Sequence, residues 1–250
     1  MIVAVIPARG GSKRIPGKNT RSFCGKPIIE YSIDAARQSG VFDRIIVSTD
    51  SESIADVARN CGAEAPFLRP AELSDDHTPT IPVVRHAVKW LSENDQPVEF
   101  ACCIYATAPF VQCADLVTGL NELKNAAGSE FAFPVTTFPF PIFRALTITD
   151  DQVDMIWPQH ELTRSQDLTE AWHDAGQFYW GTAAAWMTAN GIFSANCRPI
   201  RIPRWRVQDI DTIEDWARAE GMYQTFSQNT QPAPNPLPAP KTLPAPKTTP

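Results

Sequence analysis

Four cationic side chains and two adjacent glycines follow the first apolar segment of the chain. The run Ile2–Ile6 ends at Pro7, and the residues from there to Asn19 read PARGGSKRIPGKN. The cations of this stretch are Arg9, Lys13, Arg14 and Lys18. Glycines let backbone N–H groups approach an anion, and cationic side chains neutralise its charge. The pattern predicts a loop that binds a polyphosphate, such as that of a nucleotide; a merely solvated, charged loop is the alternative.

The loop matches neither of the two most common phosphate-binding motifs. A Walker A motif has four residues between its first glycine and its Gly-Lys pair. Here five residues separate Gly11 from Gly17, and Lys18 is followed by Asn19 instead of serine or threonine. The GxGxxG pattern of dinucleotide-binding folds is also absent from the sequence. The loop is therefore expected to hold phosphate by a different arrangement.

A second candidate site is the segment QDIDT, in which Asp209 and Asp211 flank Ile210. In an extended segment alternate side chains point to the same side, so both carboxylates could reach one divalent cation. Mg²⁺ is usually held by one or two carboxylates together with phosphate oxygens. Alternatively, Asp211 or Thr212 caps the helix predicted to begin at Ile213. Capping by one residue does not exclude metal binding by another, so the spacing alone leaves a magnesium site and a helix cap as alternatives.

Two further polar stretches contain residue types suited to ligand binding. Arg69, in FLRPAELSDD, follows a predicted strand and could contact a phosphate or a base, or equally form a surface salt bridge. The segment HDAGQFYW leads into an aromatic strand and suits a polyhydroxylated ligand. Its polar side chains are those of His173, Asp174, Gln177 and Tyr179. A Ser-His-Asp triad is disfavoured, because no G-x-S-x-G elbow is present to supply the serine.

The segments that must position these residues alternate between strands and helices. Continuous apolar runs predict strands at Ile2–Ile6, Arg44–Thr49, Phe100–Tyr105, Phe131–Thr136 and Ile200–Ile202. Amphipathic runs predict helices at Pro27–Gln38, Glu52–Asn60, Thr80–Asn94, Leu116–Ala127 and Ile213–Phe226, and the pattern also includes Gln177–Met187. Asp50 or Ser51 is expected to cap the second helix. The order predicts a doubly wound α/β fold with a mostly parallel sheet, in which ligands bind beyond the carboxyl ends of the strands.

Residues 138–172 interrupt this alternation with a predicted hairpin turn at Thr149–Gln152. The segment has too many large apolar side chains for a free loop: Phe138, Phe140, Phe143, Ile156 and Trp157. A second subunit is the simplest partner for them, so we expect a dimerisation arm inside a domain of residues 1–227. The alternative is that these residues fold back on the chain's own core. Residues 228–250 contain eight of the 23 prolines, which predicts a disordered, solvated tail.

Composition narrows the classes of function. The net charge of −6 argues against a general nucleic-acid binder, whose basic surface would raise the balance. Six cysteines without a CxxC pair predict reduced, buried thiols and no zinc site. No apolar run approaches the roughly 18 residues needed to span a membrane. We therefore expect a cytoplasmic protein that acts on small molecules.

Taken together, these motifs resemble the CMP-sialic acid synthetase family, the cytidylyltransferases that activate nonulosonic acids. IPARGGSKRIPGKN resembles the opening pattern of the family, and FDRIIVSTD, LRPAELSDD and QDIDT resemble its later elements. The match spans about residues 1–220. YATAPF, TRSQDL and HDAGQFYWGT look like the branch that activates pseudaminic acid. The N-acetylneuraminate branch typically has glutamine at the position of Tyr105 and an Arg-x-Asn-Gly run at residues 173–176.

The resemblance implies a nucleotide-diphospho-sugar transferase-like, Rossmann-like fold and a homodimer formed through an arm in mid-chain. It implies that CTP and pseudaminate give CMP-pseudaminate and pyrophosphate with Mg²⁺, as a precursor for cell-surface glycans or flagellin glycosylation. N-acetylneuraminate, legionaminate and 3-deoxy-manno-octulosonate are alternative sugars, and a non-catalytic nucleotide-sugar binder is a rival of another class. The implied nucleotide contacts are Arg9, Ser12, Lys13, Lys18, Arg69 and Thr80. The implied catalytic residues are Lys18, Arg9 and Asp211, and the implied metal ligands are Asp209 and Asp211. The implied sugar contacts are Tyr105, His173, Asp174, Gln177 and Tyr179.

Overall fold

The computed structural model describes residues 1–229, so all but the first two residues of the predicted proline-rich tail lie outside the described part of the chain. The described strands are β1 (Ile2–Pro7), β2 (Ser22–Phe23), β3 (Lys26–Pro27), β4 (Arg44–Ser48), β5 (Phe100–Ile104), β6 (Phe131–Thr137), β7 (Leu146–Thr149), β8 (Gln152–Met155), β9 (Trp172–Asp174), β10 (Phe178–Thr182) and β11 (Cys197–Arg201). The helices are α1 (Ile28–Ser39), α2 (Glu52–Asn60), α3 (Thr80–Asn94), α4 (Cys113–Asn125), α5 (Ala183–Thr188) and α6 (Ile213–Asn229).

One mixed sheet of seven strands forms the centre of the fold, in the order β11, β6, β10, β5, β1, β4, with β9 also paired to β6. β1 runs parallel to both β4 and β5, and β11 runs parallel to β6. β10 lies antiparallel between β5 and β6, and β9 is antiparallel to β6. Five strands therefore point one way and two the other. The predicted α/β fold with a mostly parallel sheet is confirmed, with one antiparallel insertion that the sequence did not indicate.

Apolar side chains cover both faces of this sheet. One face packs against α1, α2 and α4 through residues such as Ile33, Ile54 and Leu120. The other packs against α3 and α5, with Val84 and Trp186 in its cluster. Burial on both faces explains why the central strands are continuous apolar runs instead of alternating ones. The strands are thus fixed firmly, and the loops at their carboxyl ends start from rigid positions.

A third, smaller cluster lies at the edge of the molecule and joins distant parts of the chain. It contains Ile15 from the N-terminal basic loop, Ile28 from the start of α1, Ile210 from QDIDT and Trp216 from α6. Ile15 and Ile210 are each only 1% exposed. Burial of two such side chains contributes on the order of 1.5–3 kcal/mol each. This cluster therefore brings the basic loop and the QDIDT carboxylates together.

The predicted elements are present, with several differences at their ends. α1 ends as expected, with Gly40 in the left-handed region at φ 67°. α4 begins at Cys113, three residues before the predicted start, and α6 continues beyond Phe226 to Asn229. The predicted cap of α2 is wrong, because the side chain of Ser51 makes no capping hydrogen bond. The carboxylate of Asp50 instead accepts a hydrogen bond from the N–H of Gly10, at 2.8 Å.

The hairpin predicted within residues 138–172 is present as a separate two-stranded sheet of β7 and β8. Asp150 and Asp151 form its turn with φ of 52° and 61°, as a tight hairpin requires. Cross-strand pairing places Leu146 opposite Met155 and Ile148 opposite Val153. Paired residues share a face of a hairpin, so one face is apolar, and its side chains are largely exposed. Of the five apolar side chains named in the sequence, Phe140 and Ile156 are exposed and the other three are partly buried. The hairpin face itself does not fold back on the core, and a dimerisation arm stays a prediction.

The burial of the cysteines and the character of the helices bear on two further expectations drawn from the composition. All six cysteines are free thiols, but only Cys102 and Cys103 are fully buried. The expectation of buried thiols therefore holds for these two, and the other four are partly exposed. None of the helices within residues 1–229 has the length and apolar character needed to cross a membrane.

Candidate active site

A cleft of about 250 Å³ lies beyond the carboxyl ends of β1 and β5. This is the sheet edge at which α/β proteins bind ligands. Most of the residues predicted to bind nucleotide or metal line it: Arg9, Ser12, Lys13, Lys18, Arg69, Thr80 and Asp211, together with Tyr105. The structure thus gathers residues that are up to about 200 positions apart in the sequence into one concave, charged site.

The basic loop is held in place by its own backbone and by neighbouring strands. The buried amide of Asn19 donates to the carbonyl oxygen of Arg9 at 2.9 Å, which ties the two ends of the loop together. Gly17 has φ of 64°, a left-handed conformation that glycine adopts without strain, and it precedes Lys18. The hydrogen bond from Gly10 to Asp50 anchors the loop to the end of β4. The cationic side chains therefore project from a loop that these hydrogen bonds hold in place.

Lys18 joins the loop to the carboxylate side of the site. Its Nζ donates to the carbonyl oxygen of Ile210 at 2.7 Å and lies 3.4 Å from Oδ1 of Asp211. A guanidinium nitrogen of Arg14 lies 3.0 Å from the same oxygen of Asp211. This arrangement places two cations on one carboxylate at the edge of the cleft.

The helix-capping alternative for this segment is resolved in favour of Thr212. Its Oγ1 accepts a hydrogen bond from the N–H of Asp215 at 3.2 Å, and the Asp215 carboxylate accepts one from the N–H of Thr212 at 2.9 Å. These reciprocal bonds form a capping box at the start of α6. The side chain of Asp211 takes no part in the cap and is free to act in the cleft.

The two aspartates predicted to bind metal have different surroundings. Ile210 between them is buried, whereas Asp211 is half-buried in the cleft and Asp209 is exposed and does not line it. Although the residue as a whole is exposed, partial burial of its carboxyl raises the pKa of Asp209, and repulsion from Asp211 raises it further. Within residues 1–229 no three His, Cys, Asp or Glu side chains are grouped to hold a metal. Asp211 lines the cleft and Asp209 does not, so a Mg²⁺ ion held by both carboxylates stays a prediction.

Arg69 is buried, with 5% of its surface exposed, and lies in the wall of the cleft. Its Nε donates to Oγ of Ser74 at 3.1 Å, and its backbone N–H donates to the carbonyl of Thr49 at 2.7 Å. Burial lowers the pKa of Arg69, and the negative charge of Asp50 opposes that shift. No carboxylate in the described part of the chain forms an ion pair with it, so the surface salt bridge is wrong. A buried guanidinium without a counterion favours an anionic or acceptor-rich ligand.

The sequence reasoning missed Asp76, although it lies in the quoted segment FLRPAELSDD. Both Lys13 and Arg9 form ion pairs with its carboxylate across the cleft. Hydrogen bonds from these two cations lower the pKa of Asp76 to about 2. Asp76 and Asp211 together form ion pairs with all four cations of the loop and offset half of their charge. The only signal in the sequence was a pair of acidic residues after Leu73, which is too common a feature to assign a role.

The residues predicted to bind sugar are only partly brought together. Tyr105 lines the cleft, and its Oη lies 3.2 Å from Oγ1 of Thr80. Tyr179 lies behind Tyr105, with ring centroids 5.6 Å apart, and donates its hydroxyl hydrogen to the carboxylate of Asp174. Burial raises the pKa of both phenols. Tyr105 is thus the one residue of this set at the cleft surface, and Tyr179 and Asp174 support it from behind.

The remaining two residues of that set face elsewhere. The ring of His173 packs against Phe138 with centroids 4.7 Å apart, and its Nδ1 lies 2.9 Å from the carbonyl of Asp174. Gln177 is buried, and its amide nitrogen donates to the carbonyl of Arg206 at 2.6 Å. Neither residue lines the cleft, so a direct role for them in sugar binding stays a prediction.

A family model described as cytidylyltransferase matches residues 3–227 of the chain. The chain is similar to a pseudaminic acid cytidylyltransferase of Campylobacter jejuni subsp. jejuni, with 44% identity over 89% of this chain and 96% of that protein. It is also similar to a CMP-N,N'-diacetyllegionaminic acid synthase of Legionella pneumophila, with 32% identity over 89% of this chain and 96% of that protein.

Among solved structures, the chain resembles a CMP:2-keto-3-deoxy-manno-octonic acid synthetase complexed with CTP, with a TM-score of 0.66. The sequence identity is 17%, and the match covers 90% of this chain and 99% of that one. At this level of identity the likeness concerns the fold alone, and it agrees with the fold that the sequence resemblance implied.

We predict that Arg69→Met will weaken the binding of CTP, the nucleotide that the sequence resemblance implies, while making the folded protein more stable. Loss of the guanidinium should reduce affinity at least tenfold, since one charged hydrogen bond contributes about 1.5–3 kcal/mol. Removal of a buried charge that lacks a counterion should raise the free energy of unfolding by about 1 kcal/mol. Calorimetric titration and thermal unfolding measure the two effects.

The control is Arg59→Met, which changes an exposed arginine of α2 that pairs with Glu52 and Asp56. It should leave CTP affinity unchanged and alter stability by no more than about 0.5 kcal/mol. Unchanged CTP affinity in Arg69→Met would show that Arg69 is not a ligand contact.

Proposed function

The chain belongs to the cytidylyltransferase family, and from that membership we propose that it activates pseudaminic acid, converting CTP and pseudaminate to CMP-pseudaminate and pyrophosphate. The observation that carries the proposal is the convergence of the loop cations with Asp211 in one cleft. A cationic loop suits the triphosphate, and a nearby carboxylate suits the metal that accompanies it. The similarity to a pseudaminic acid cytidylyltransferase over most of both chains supports the choice of sugar.

In the proposed reaction, the anomeric hydroxyl of the sugar attacks the α-phosphorus of CTP in line with the departing pyrophosphate. The new bond joins the sugar oxygen to phosphorus, the bond from the α-phosphorus to the bridging oxygen breaks, and the hydroxyl loses its proton. Phosphoryl-type transfer depends mainly on positioning and on charge neutralisation. Lys13, Arg9 and Lys18 would neutralise the triphosphate and then the leaving pyrophosphate. Ser12 lies in the same loop and can donate to a phosphate oxygen.

The proposed metal is Mg²⁺, held by Asp211, which lines the cleft, and by Asp209, which the sequence resemblance implied as a second ligand and which would have to turn toward the cleft. Bound there, it would polarise the α-phosphate and make the sugar hydroxyl more acidic. Entry of a triphosphate would also change the partners of the loop cations, which now pair with Asp76 and Asp211. If the triphosphate took over Lys18 and Arg14, the lone pairs of the Asp211 carboxylate would become available to the metal.

The sugar assignment has identifiable competitors within the same family. The identity to the legionaminic acid synthase is 32%, against 44% for the pseudaminic acid enzyme over a similar span. Tyr105 at the cleft surface differs from the glutamine typical of the N-acetylneuraminate branch, so the polar contacts available to a sugar differ there. These differences support pseudaminate over legionaminate, N-acetylneuraminate or 3-deoxy-manno-octulosonate.

The proposal includes a homodimer formed through the arm of residues 138–172. The apolar face of the β7–β8 hairpin is exposed, with Ile148 at 74%. Large exposed apolar surfaces in soluble proteins mark interaction sites. We also place the enzyme in the cytoplasm, where six free cysteines would stay reduced.

We predict that the purified protein will release pyrophosphate from CTP only when Mg²⁺ and a nonulosonic acid are both present. Pseudaminate should give the highest kcat/KM among the four sugars named above. The assay is coupled detection of pyrophosphate with each sugar at matched concentrations. Faster turnover with N-acetylneuraminate would overturn the choice of sugar, and no release with any sugar would favour the non-catalytic binder.

Lys18→Ala and Asp211→Ala should each lower turnover by at least about 10²-fold, because loss of one charge-stabilising group in such a site costs 10²–10³ in rate. The folded state should persist in both variants, as judged by circular dichroism. Lys89→Ala is the matched control, since Lys89 lies on the exposed side of α3 and pairs only weakly with Glu93 at 3.9 Å. Near-normal turnover in both cleft variants would contradict the assignment of this cleft as the active site.

Ile148→Asp should convert the proposed dimer to a monomer of 27.6 kDa, because a charge in the middle of the apolar hairpin face cannot be buried against a partner without a large cost. Sedimentation equilibrium measures the mass. Thr147→Asp on the opposite, polar face of the same hairpin is the control and should remain dimeric. A wild-type protein that sediments as a monomer, or a dimer in both variants, would rule out this face as the interface.

A further inference from the structure

Asp76 faces two of the loop cations across the active-site cleft. Its carboxylate forms ion pairs with Arg9 and with Lys13, and all three residues line the cleft. The side chain of Asp76 is 30% exposed and that of Lys13 is 81% exposed, so water reaches these ion pairs. Exposed ion pairs contribute little to stability. An anion that enters the cleft can therefore take over both cations at small cost.

The segment that carries Asp76 is held in place independently of these ion pairs. Oδ1 of the preceding residue, Asp75, accepts hydrogen bonds from the backbone N–H of His77 at 3.0 Å and from that of Thr78 at 2.6 Å. The hydroxyl of Thr78 also donates to the same oxygen at 2.6 Å. The backbone on both sides of Asp76 is thus tied into one turn. Its carboxylate is therefore expected to stay at the cleft when the cations move to another anion.

The inner part of the loop is bound more firmly. Nζ of Lys18 donates to the carbonyl of Ile210 at 2.7 Å and lies 3.4 Å from Oδ1 of Asp211, and its side chain is only 21% exposed. The proposed function places Asp211 beside the α-phosphate, so Lys18 lies next to the phosphate that receives the sugar. Arg9 and Lys13 then remain for the β- and γ-phosphates, which leave as pyrophosphate.

We propose that Asp76 competes with the two outer phosphates of CTP for Arg9 and Lys13, which lowers the affinity for CTP and favours the release of pyrophosphate. This inference rests on the proposed function for the identity of the ligand. A carboxylate that stays at the cleft repels the phosphates, because both are negatively charged. When pyrophosphate leaves, Asp76 pairs again with the two cations, so they are not left unpaired beside each other.

The test measures the binding of CTP, pyrophosphate and CMP to the full chain by calorimetry, with Mg²⁺ and without sugar. Asp76→Asn keeps the size of the side chain and removes its charge. The variant should bind CTP and pyrophosphate about tenfold more tightly than the wild-type protein, since two exposed ion pairs no longer have to be broken. Asp76→Ala should give the same result. CMP has no outer phosphates, so its affinity should stay unchanged in both variants.

Two further variants serve as controls. Asp76→Glu keeps the negative charge and should retain the wild-type affinity for all three ligands. Glu72→Gln removes one negative charge from the same segment of the chain, but Glu72 is exposed and does not line the cleft. It should also leave all three affinities unchanged. This control separates the contact made by Asp76 from the overall charge of the protein.

Unchanged affinity for CTP and pyrophosphate in Asp76→Asn and Asp76→Ala would overturn the inference. Weaker binding in both would show that Asp76 is itself a ligand contact, and equal tightening for CMP would contradict the assignment of Arg9 and Lys13 to the outer phosphates. The proposed function is tested separately by pyrophosphate release. A protein that shows the expected affinities but turns over none of the sugars would support this inference and contradict the enzymatic assignment.

Discussion

The active-site cleft depends on one contact between the two ends of the domain. Lys18 Nζ donates to the carbonyl of Ile210, across 192 positions of sequence. Apolar packing supports this contact, because Ile15 and Ile210 are buried in the same small cluster with Trp216. Without that cluster, the basic loop and the acidic segment would be two exposed pieces of chain with opposite charge, and surface attraction of this kind contributes little. Burial of the neighbouring apolar side chains therefore fixes the positions of the charged groups.

The same contact explains how four cations can be concentrated in one loop. Like charges so close together repel each other, and the fold offsets that repulsion with Asp76 on one side and Asp211 on the other. A polyphosphate offers the same kind of oxygen ligands in larger number. Asp76 and Asp211 therefore pair with the loop cations where the oxygens of a ligand would otherwise do so. Arg69 is the exception, because no carboxylate within the described residues forms an ion pair with it. Within the structure the charge of Asp50 and the hydrogen bond to Ser74 offset the burial of Arg69 only in part, so an anionic ligand would offset it further.

Much of this could be predicted from the sequence, and the failures have physical reasons. The strands and helices were predictable, since both-face burial produces continuous apolar runs and amphipathic periodicity marks helices. The direction of β10 was not, because the residues FYWGT have the same apolar pattern whichever way the strand runs. The cleft residues of the basic loop and Asp211 were predictable from charge and spacing. Asp76 was not, because its role comes from meeting Arg9 and Lys13 across the cleft. The sugar-binding set was drawn from one local segment, but local adjacency does not decide which side chains reach a cleft.

The reversed strand explains why residues of that segment matter to the site at all. In a parallel sheet the residues that reach the ligand edge follow the strands, as Arg9 follows β1 and Tyr105 follows β5. β10 runs the other way, and its first residue, Phe178, pairs with Ile104 at the end of β5. The residues that precede and begin β10 therefore lie at the same edge as those that follow its neighbours. The chain makes this possible by breaking the strand between β9 and β10, where Gly176 has φ of 60° and the carbonyl of Gln177 accepts from the N–H of Tyr105 at 2.9 Å. One antiparallel insertion thus sets Tyr179 against Tyr105 behind the cleft wall, with Asp174 as the acceptor for the Tyr179 hydroxyl.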